Sequence, residues 1–289
     1  MRAFVPAYEL VAPASLAEAL SLLGQEPGAW KPFAGGTDLM VLLESGKLTH
    51  KKYFNLWNLA ELKTVEVSAA HVTLGALTTY SQIQRHETLQ QEFPLLCRAA
   101  AETGSIATQN RGTLGGNIVN ASPAADSPPA LMAYAADLEL ISQRGSRWVA
   151  LADFYSGYKQ MDLQSDELLR SIRLPRMKAS WRQFYRKVGA RKAQAIAKVC
   201  FAGAALLDGE IIQDIRIALG SVAPTVIRCR GAEDSLRGKK PDSAAVAGAI
   251  SALGRDISPI DDIRSTARYR RQVAGNLLEE FLGRLRQNN

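Results

Sequence analysis

Cysteine and histidine are both scarce in this chain, three of each among 289 residues. Cys97, Cys200 and Cys229 stand too far apart to form a disulfide scaffold, a four-cysteine zinc site or an iron–sulfur cluster, each of which needs clustered thiols. No metal centre is therefore expected in the chain itself. His50, His71 and His86 lie in polar or amphipathic stretches with no nucleophile or metal-ligand spacing beside them, so hydrolytic catalysis lacks its residues. No apolar run approaches the roughly 18–20 residues of a membrane span. The first twenty residues break their apolar stretch with Pro6, Glu9 and Pro13, unlike a secretory signal, and a reducing, cytoplasmic setting is the expectation. Nucleotide motifs are missing too. No G-x-G-x-x-G opens a helix, and Gly238-Lys239-Lys240 lacks the upstream glycine and the Ser/Thr of a Walker loop, which argues against a Rossmann dinucleotide site.

What the chain does contain is an ordinary apolar share, 47%, with mixed charge, enough for one large domain or two modest ones and too much for disorder. The net charge of +7 is unevenly spread: residues 1–175 carry 14 basic and 17 acidic groups, whereas residues 176–289 carry 21 and 11. Basicity peaks over residues 176–198, where eight Lys/Arg meet no acid and Trp181, Phe184 and Tyr185 are interleaved. Such a run suits a nucleic-acid-binding protein, a solvated face or a subunit contact.

Periodicity predicts a helix over residues 15–23 with Ser15 and Glu18 as a capping box, then a strand over 30–34, a Gly35-Gly36-Thr37-Asp38 turn and an apolar helix from Leu39 with Thr37 or Asp38 as its cap. Strands are expected over 53–57 and 72–77, and helices over 79–86 and 94–102. A hairpin is expected around Arg144-Gly145-Ser146, and a strand ending at Pro175 closes the first part. A second hairpin turns at Asp208-Gly209, and helices over 243–253 and 266–285 end the chain.

Two glycine pairs, Gly35-Gly36 and Gly115-Gly116, lie 80 residues apart in expected loops. A glycine pair lets backbone N–H groups converge with no Cβ in the way, which suits a diphosphate; a pair of tight turns would use the same residues. Small polar neighbours (Thr37, Asp38, Thr113, Asn117, Asn120, Ser122) favour the binding reading, and the second pair runs on into a polar stretch ending in Asp126.

Three strings in this order resemble a known family: Ala34-Gly35-Gly36-Thr37-Asp38-Leu39, Asn110-Arg111-Gly112-Thr113-Leu114-Gly115-Gly116-Asn117-Ile118, and Ala121-Ser122-Pro123 with Asp126. They resemble the FAD-binding (medium) subunit of the molybdenum hydroxylases, of the carbon monoxide dehydrogenase and xanthine dehydrogenase kind. Tyr185-Arg186-Lys187-Val188-Gly189-Ala190-Arg191-Lys192 and Arg268-Tyr269-Arg270-Arg271 extend the likeness over residues 3 to 285. The resemblance implies an α+β fold. A two-lobed FAD-binding domain of the vanillyl-alcohol-oxidase type would span residues 1–175, with lobes of 1–57 and 58–175, followed by a C-terminal α+β domain over 176–289. It also implies non-covalent FAD between the lobes. The diphosphate would be held by backbone N–H groups of Gly35, Gly36 and Thr37, helped by Thr113, Gly115 and Gly116, with Asn117 continuing that loop and Asp126 receiving cofactor hydroxyls. Leu169 would supply a backbone contact near the flavin, and Lys187 a cation beside the ring that raises its potential. Lys31, Phe33, Ala34, Asp38, Leu39 and Asn120 complete the implied set.

No catalytic residue is implied. The family role would be an electron-output subunit, receiving electrons from two [2Fe–2S] clusters of a small partner, with molybdopterin on a large partner and NAD+ or another acceptor downstream, in a dimer of heterotrimers. The family's aromatic ring over the flavin has no counterpart at Thr103-Gly104-Ser105-Ile106, and the Cys-rich insert of some relatives is absent. A free-standing flavoprotein oxidoreductase of the same fold and a basic nucleic-acid-binding protein are the competing readings.

Overall fold

A computed structural model describes residues 7–178 and 180–287; Pro6, part of the signal-peptide argument, lies outside them. The described residues form three larger sheets in succession, each with its own helices, and one two-stranded sheet.

The first sheet is parallel, with β1 (Glu9–Val11), β2 (Lys31–Phe33) and β3 (Lys52–Asn55) in the order β1-β3-β2. Helix α1 (Leu16–Gln25) joins β1 to β2. Ser15 accepts from the Glu18 N–H at 3.2 Å, and the Glu18 carboxylate reaches back to the Ala14 N–H at 2.7 Å, one residue earlier than a standard capping box. Leu16, Ala19, Leu20 and Leu23 then face Trp30, Phe54 and Leu56 in a small core. Helix α2 (Leu39–Glu44) follows β2 and behaves differently: Leu39-Met40-Val41-Leu42-Leu43 is wholly apolar, yet none of it is buried.

The second sheet begins with β4 (Val65–Val67) and β5 (His71–Gly75). Helices α3 (Tyr80–Arg85), α4 (Glu87–Glu92), α5 (Pro94–Glu102), α6 (Ile106–Arg111), α7 (Leu114–Val119) and α8 (Ser127–Ala133) come next, then β6 (Asp137–Ser142), β7 (Gly145–Ala150), α9 (Leu151–Phe154), the short pair β8 (Tyr155–Gly157) and β9 (Gln160–Met161), and β10 (Leu168–Pro175). The sheet order β4-β5-β10-β6-β7 puts β10 in the middle of an antiparallel array. Sequence patterning finds α3, α5 and the β6–β7 hairpin but not α6, α7 or α8. Their reasons are local: α7 contains the second glycine pair, and α8 opens Ser127-Pro128-Pro129, prolines that a first turn tolerates.

The third sheet, β11 (Arg182–Val188), β12 (Val199–Asp208), β13 (Ile211–Gly220) and β14 (Ile227–Arg228), is antiparallel in chain order, with Gly209 at φ +57° in the expected turn. Its two faces serve different cores. Phe184, Phe201, Ile217 and Leu219 pack with α10 (Arg230–Leu236), α11 (Ser243–Asp256) and α12 (Ala267–Gln287), and Gly203 allows the Phe281 ring to within 2.7 Å of where a Cβ would stand. The opposite face, with Tyr185, Cys200, Ala202, Ala204 and Ala218, belongs to the core of the second sheet and its helices. Period two thus makes one sheet the shared wall of two cores.

This placement corrects the nucleic-acid reading. The basic run is largely strand β11 and its flanks, Phe184 and Tyr185 point inward, Arg176 pairs with Glu92, and Lys187 pairs with Asp126. The aromatic platform such binding would need is buried. Among the described residues, no helix is long and apolar enough to cross a membrane, and no group of His, Cys, Asp and Glu could hold a metal ion.

Candidate functional site

The segments that carry the two glycine pairs touch at Gly35 with Arg111 and at Asp38 with Asn120, and each glycine has its own reason. The Gly35 Cα lies against the carbonyl of Arg111: a Cβ there would stand 1.7 Å from the Arg111 oxygen. Gly36 has φ +75°, the left-handed region, and the Phe33 ring covers it, with Cζ 2.8 Å from an ideal Cβ. Gly115 presses on Ala76, whose oxygen and Cβ would each be 2.7 Å from an added Cβ. Gly116 faces only the Thr113 hydroxyl, at 2.9 Å. A polar bridge reinforces the meeting, since Asn120 Nδ2 donates to Asp38 Oδ1 at 3.4 Å. Asp38 occupies the cap position of α2 but makes no side-chain cap bond.

Backbone hydrogen bonding separates the two pairs. Among the described residues, nothing accepts the N–H groups of Gly35, Gly36, Thr37, Asp38 or Leu39. Around the second pair the donors are committed: Leu114 N–H to Thr78 O (2.9 Å), Gly115 N–H to Ala76 O (2.8 Å), Gly116 N–H to Thr113 Oγ1 (3.1 Å) and Asn117 N–H to Thr113 O (3.0 Å). This corrects the expectation that Gly115 and Gly116 offer amides to a diphosphate. The second pair sits not in a loop but in the first turn of α7, where its small size lets the helix lie against the end of β5. The Thr113 hydroxyl serves as the helix cap, and the Asn117 side chain accepts from Ser127 Oγ at 2.5 Å.

Behind the loops stands a buried acid. Asp126 is 8% exposed; its Oδ2 receives Lys187 Nζ at 2.7 Å, and its Oδ1 has no partner among the described residues. Burial raises its pKa to about 6, against the pull of Lys187. Lys187 Nζ also donates to the Glu102 carbonyl at 2.9 Å, which leaves one of its three N–H donors. Burial likewise raises the Glu102 carboxyl, with Arg98 and Lys187 opposing. Tyr185 donates to the Asp126 carbonyl at 3.1 Å, and Cys200 Sγ lies 3.2 Å from the Tyr185 hydroxyl; burial pushes both groups well above their usual range. Neither is a nucleophile at neutral pH.

The remaining implied residues divide by position. Lys31, exposed, and Phe33, half-buried, lie on β2, which leads into the amide-bearing loop; Ala34 packs partly against the α1 core. Leu169 is buried in central strand β10, paired with Leu140 on one edge, while pairing with β5 on the other edge begins only at Ser171. Only its backbone is available to a ligand. One residue escapes sequence reasoning altogether. Lys159, in the tight turn between β8 and β9 with φ +57°, donates from Nζ to Asn120 O at 2.6 Å and Asn120 Oδ1 at 2.8 Å. A lone lysine after Gly157-Tyr158 carries no motif that would single it out.

Amides without an acceptor beside a left-handed glycine are donors suited to phosphate, and a nearly buried acid with one free oxygen is an acceptor suited to a hydroxyl. Together they define a nucleotide-cofactor-binding chain with an α+β extension. Known proteins agree. Residues 6–177 match the FAD binding domain in molybdopterin dehydrogenase, and residues 184–285 match the CO dehydrogenase flavoprotein C-terminal domain. The chain is 34% identical over 270 residues to the glyceraldehyde dehydrogenase medium chain of Sulfolobus acidocaldarius, covering 93% of this chain and 95% of that one. It is 30% identical to the xanthine dehydrogenase FAD-binding subunit of Escherichia coli O157:H7, covering 93% and 92%. Among solved structures, a carbon monoxide dehydrogenase from Hydrogenophaga pseudoflava superposes with a TM-score of 0.93 at 30% identity over 97% of both chains. This chain belongs to the FAD-binding subunits of the molybdenum hydroxylase family, and it is an oxidoreductase subunit.

Proposed function

We propose that this chain is the electron-output subunit of a three-component cytoplasmic assembly, a dimer of heterotrimers. Electrons enter from two [2Fe–2S] clusters on a small partner, the substrate is oxidised at molybdopterin on a large partner, and NAD+ or another acceptor leaves with the electrons. FAD, bound without a covalent link, supplies the redox chemistry. The chain's own task is to hold it. The free amides of residues 35–39 donate to the diphosphate, while Asn117 and Asn120 lie along the second wall with Thr113, Gly115 and Gly116 shaping it. Asp126 Oδ1 accepts from a cofactor hydroxyl. Lys187 keeps the Asp126 carboxylate in place and would have its third N–H left for the cofactor, and Leu169 would offer its backbone where β10 runs past the end of its pairing with β5. The observation that carries this reading is the run of five amides, residues 35–39, without an acceptor among the described residues, in a segment whose Asp38 side chain meets Asn120.

Reconstitution tests it. Purified protein incubated with FAD and desalted should be yellow, with a flavin-to-protein ratio near one and full release of the flavin on acid precipitation. A colourless, folded protein would overturn the proposal.

A further inference from the structure

We infer that Lys159 is a phosphate-binding residue, a cation that the β8–β9 turn holds over the junction of the two glycine pairs to meet the cofactor diphosphate. The inference rests on the FAD-binding site proposed above and adds to it a residue from a different part of the chain. Three observations combine. The ammonium is anchored on a single residue, Asn120, through both its backbone and side-chain oxygens, and Asn120 in turn reaches Asp38 beside the free amides. Among the described residues, no carboxylate lies within ion-pair distance of Lys159. Desolvation disfavours the charged form there, and Asp38 only partly offsets it.

An exposed lysine whose ammonium meets two neutral acceptors, and no carboxylate at ion-pair distance among the described residues, keeps one donor for a ligand. Through Asn120 it is linked to Asp38, which lies within the run of residues 35–39 whose amides have no acceptor among the described residues. Open N–H donors on one segment and a cation tethered to it through Asn120 are groups that an anion satisfies together. A diphosphate supplies that anion with oxygens for both sides, and lysine meets phosphate as a point charge without demanding a fixed geometry. The neighbouring Tyr155 hydroxyl, which donates to the Ile118 carbonyl at 3.0 Å, steadies the turn on the end of α7.

The test compares FAD with riboflavin, which carries the ring but no phosphate, by titration of flavin fluorescence in wild type, Lys159→Gln and Lys159→Arg. Lys159→Gln should weaken FAD binding about 10- to 100-fold, the loss of one charge-assisted hydrogen bond. Riboflavin binding should stay unchanged, Lys159→Arg should recover most of the FAD affinity, and the wild-type preference for FAD should fall with added salt. Equal FAD binding by wild type and Lys159→Gln overturns the inference while leaving the FAD site standing. An equal loss for FAD and riboflavin also overturns it, since that marks a purely structural turn. A wild type that binds no FAD removes the proposed function, and this inference with it.

Discussion

Lys187→Met should cost about 3 kcal/mol of folding stability at pH 8 and almost nothing at pH 5, because the cost belongs to the carboxylate it leaves behind. In the native protein the Lys187 and Asp126 side chains are 7% and 11% exposed and lie 2.7 Å apart. Removing one member of a buried pair typically costs about 3–5 kcal/mol, because the remaining charge keeps its desolvation penalty and loses its compensation. The pH dependence follows from Asp126. Burial lifts its pKa to about 6 in the folded chain from an ordinary aspartate value of 3.8, so the fold prefers the protonated acid. Stability from this group is complete below the unfolded value and is lost as pH rises through the folded one, a window of roughly pH 4–6. At about 1.4 kcal/mol per pKa unit, that loss is about 3 kcal/mol even with the lysine present.

Without the lysine the carboxyl titrates higher still and the native state takes up a proton near neutrality. The deficit of Lys187→Met relative to wild type therefore grows from pH 5 to pH 8. Denaturant unfolding at several pH values measures it. The double variant Asp126→Asn/Lys187→Met carries neither charge, and its stability should be nearly flat across that range and above that of Lys187→Met at pH 8. A Lys187→Met deficit independent of pH would assign the loss to packing instead.

Gly35→Ala should be as damaging, through a collision with no flexible partner to absorb it. The new methyl would stand 1.7 Å from the Arg111 carbonyl oxygen and 2.6 Å from its carbon, both backbone atoms. Overpacking costs about 1–3 kcal/mol where side chains can shift, and more where main chain must. Relief would have to separate the loop after β2 from the end of α6. We therefore expect about 3 kcal/mol or more from denaturant midpoints, together with loss of flavin retention, because the loop that carries the free amides of residues 35–39 would be displaced from Arg111. Gly283→Ala is the control. It sits in α12 with nothing within 4 Å of an added Cβ, and should be neutral or stabilising by up to about 1 kcal/mol. If Gly35→Ala matched it, the contact between the two lobes would not be what fixes this loop.

These variants bear on what the sequence could reveal. The glycine pairs are visible as landmarks, and α1, α5 and both hairpins follow from periodicity and turn chemistry. What each glycine does is not visible, because Gly35 and Gly115 answer to neighbours 76 and 39 residues away, Arg111 and Ala76. Hence both pairs suggest amides, while only the first leaves them free. The basic run misleads for a related reason. Read with period two, residues 182–188 put Tyr185 and Lys187 on one face and Phe184 and Arg186 on the other, which turns a charge cluster into a wall. Resemblance to a family supplied Asp126 and Lys187 together, although 61 residues separate them and nothing local pairs them. Lys159 had neither periodicity nor motif, and only coordinates bring it to Asn120.

The shared sheet has a consequence for how the site is assembled. Ser221, at φ +66° just after β13, donates its N–H to the Pro123 carbonyl at 2.7 Å and accepts Arg270 Nη1 on its own carbonyl at 2.7 Å. Arg270 is 4% exposed and belongs to the last helix. The stretch before Asp126 is thus clasped by residues that a ribosome makes about a hundred and fifty positions later, and domains that fold during synthesis do so from the N-terminal side. The glycine loops precede that support in synthesis, and the stretch beside them gains its rear contact only once Ser221 and Arg270 have been made.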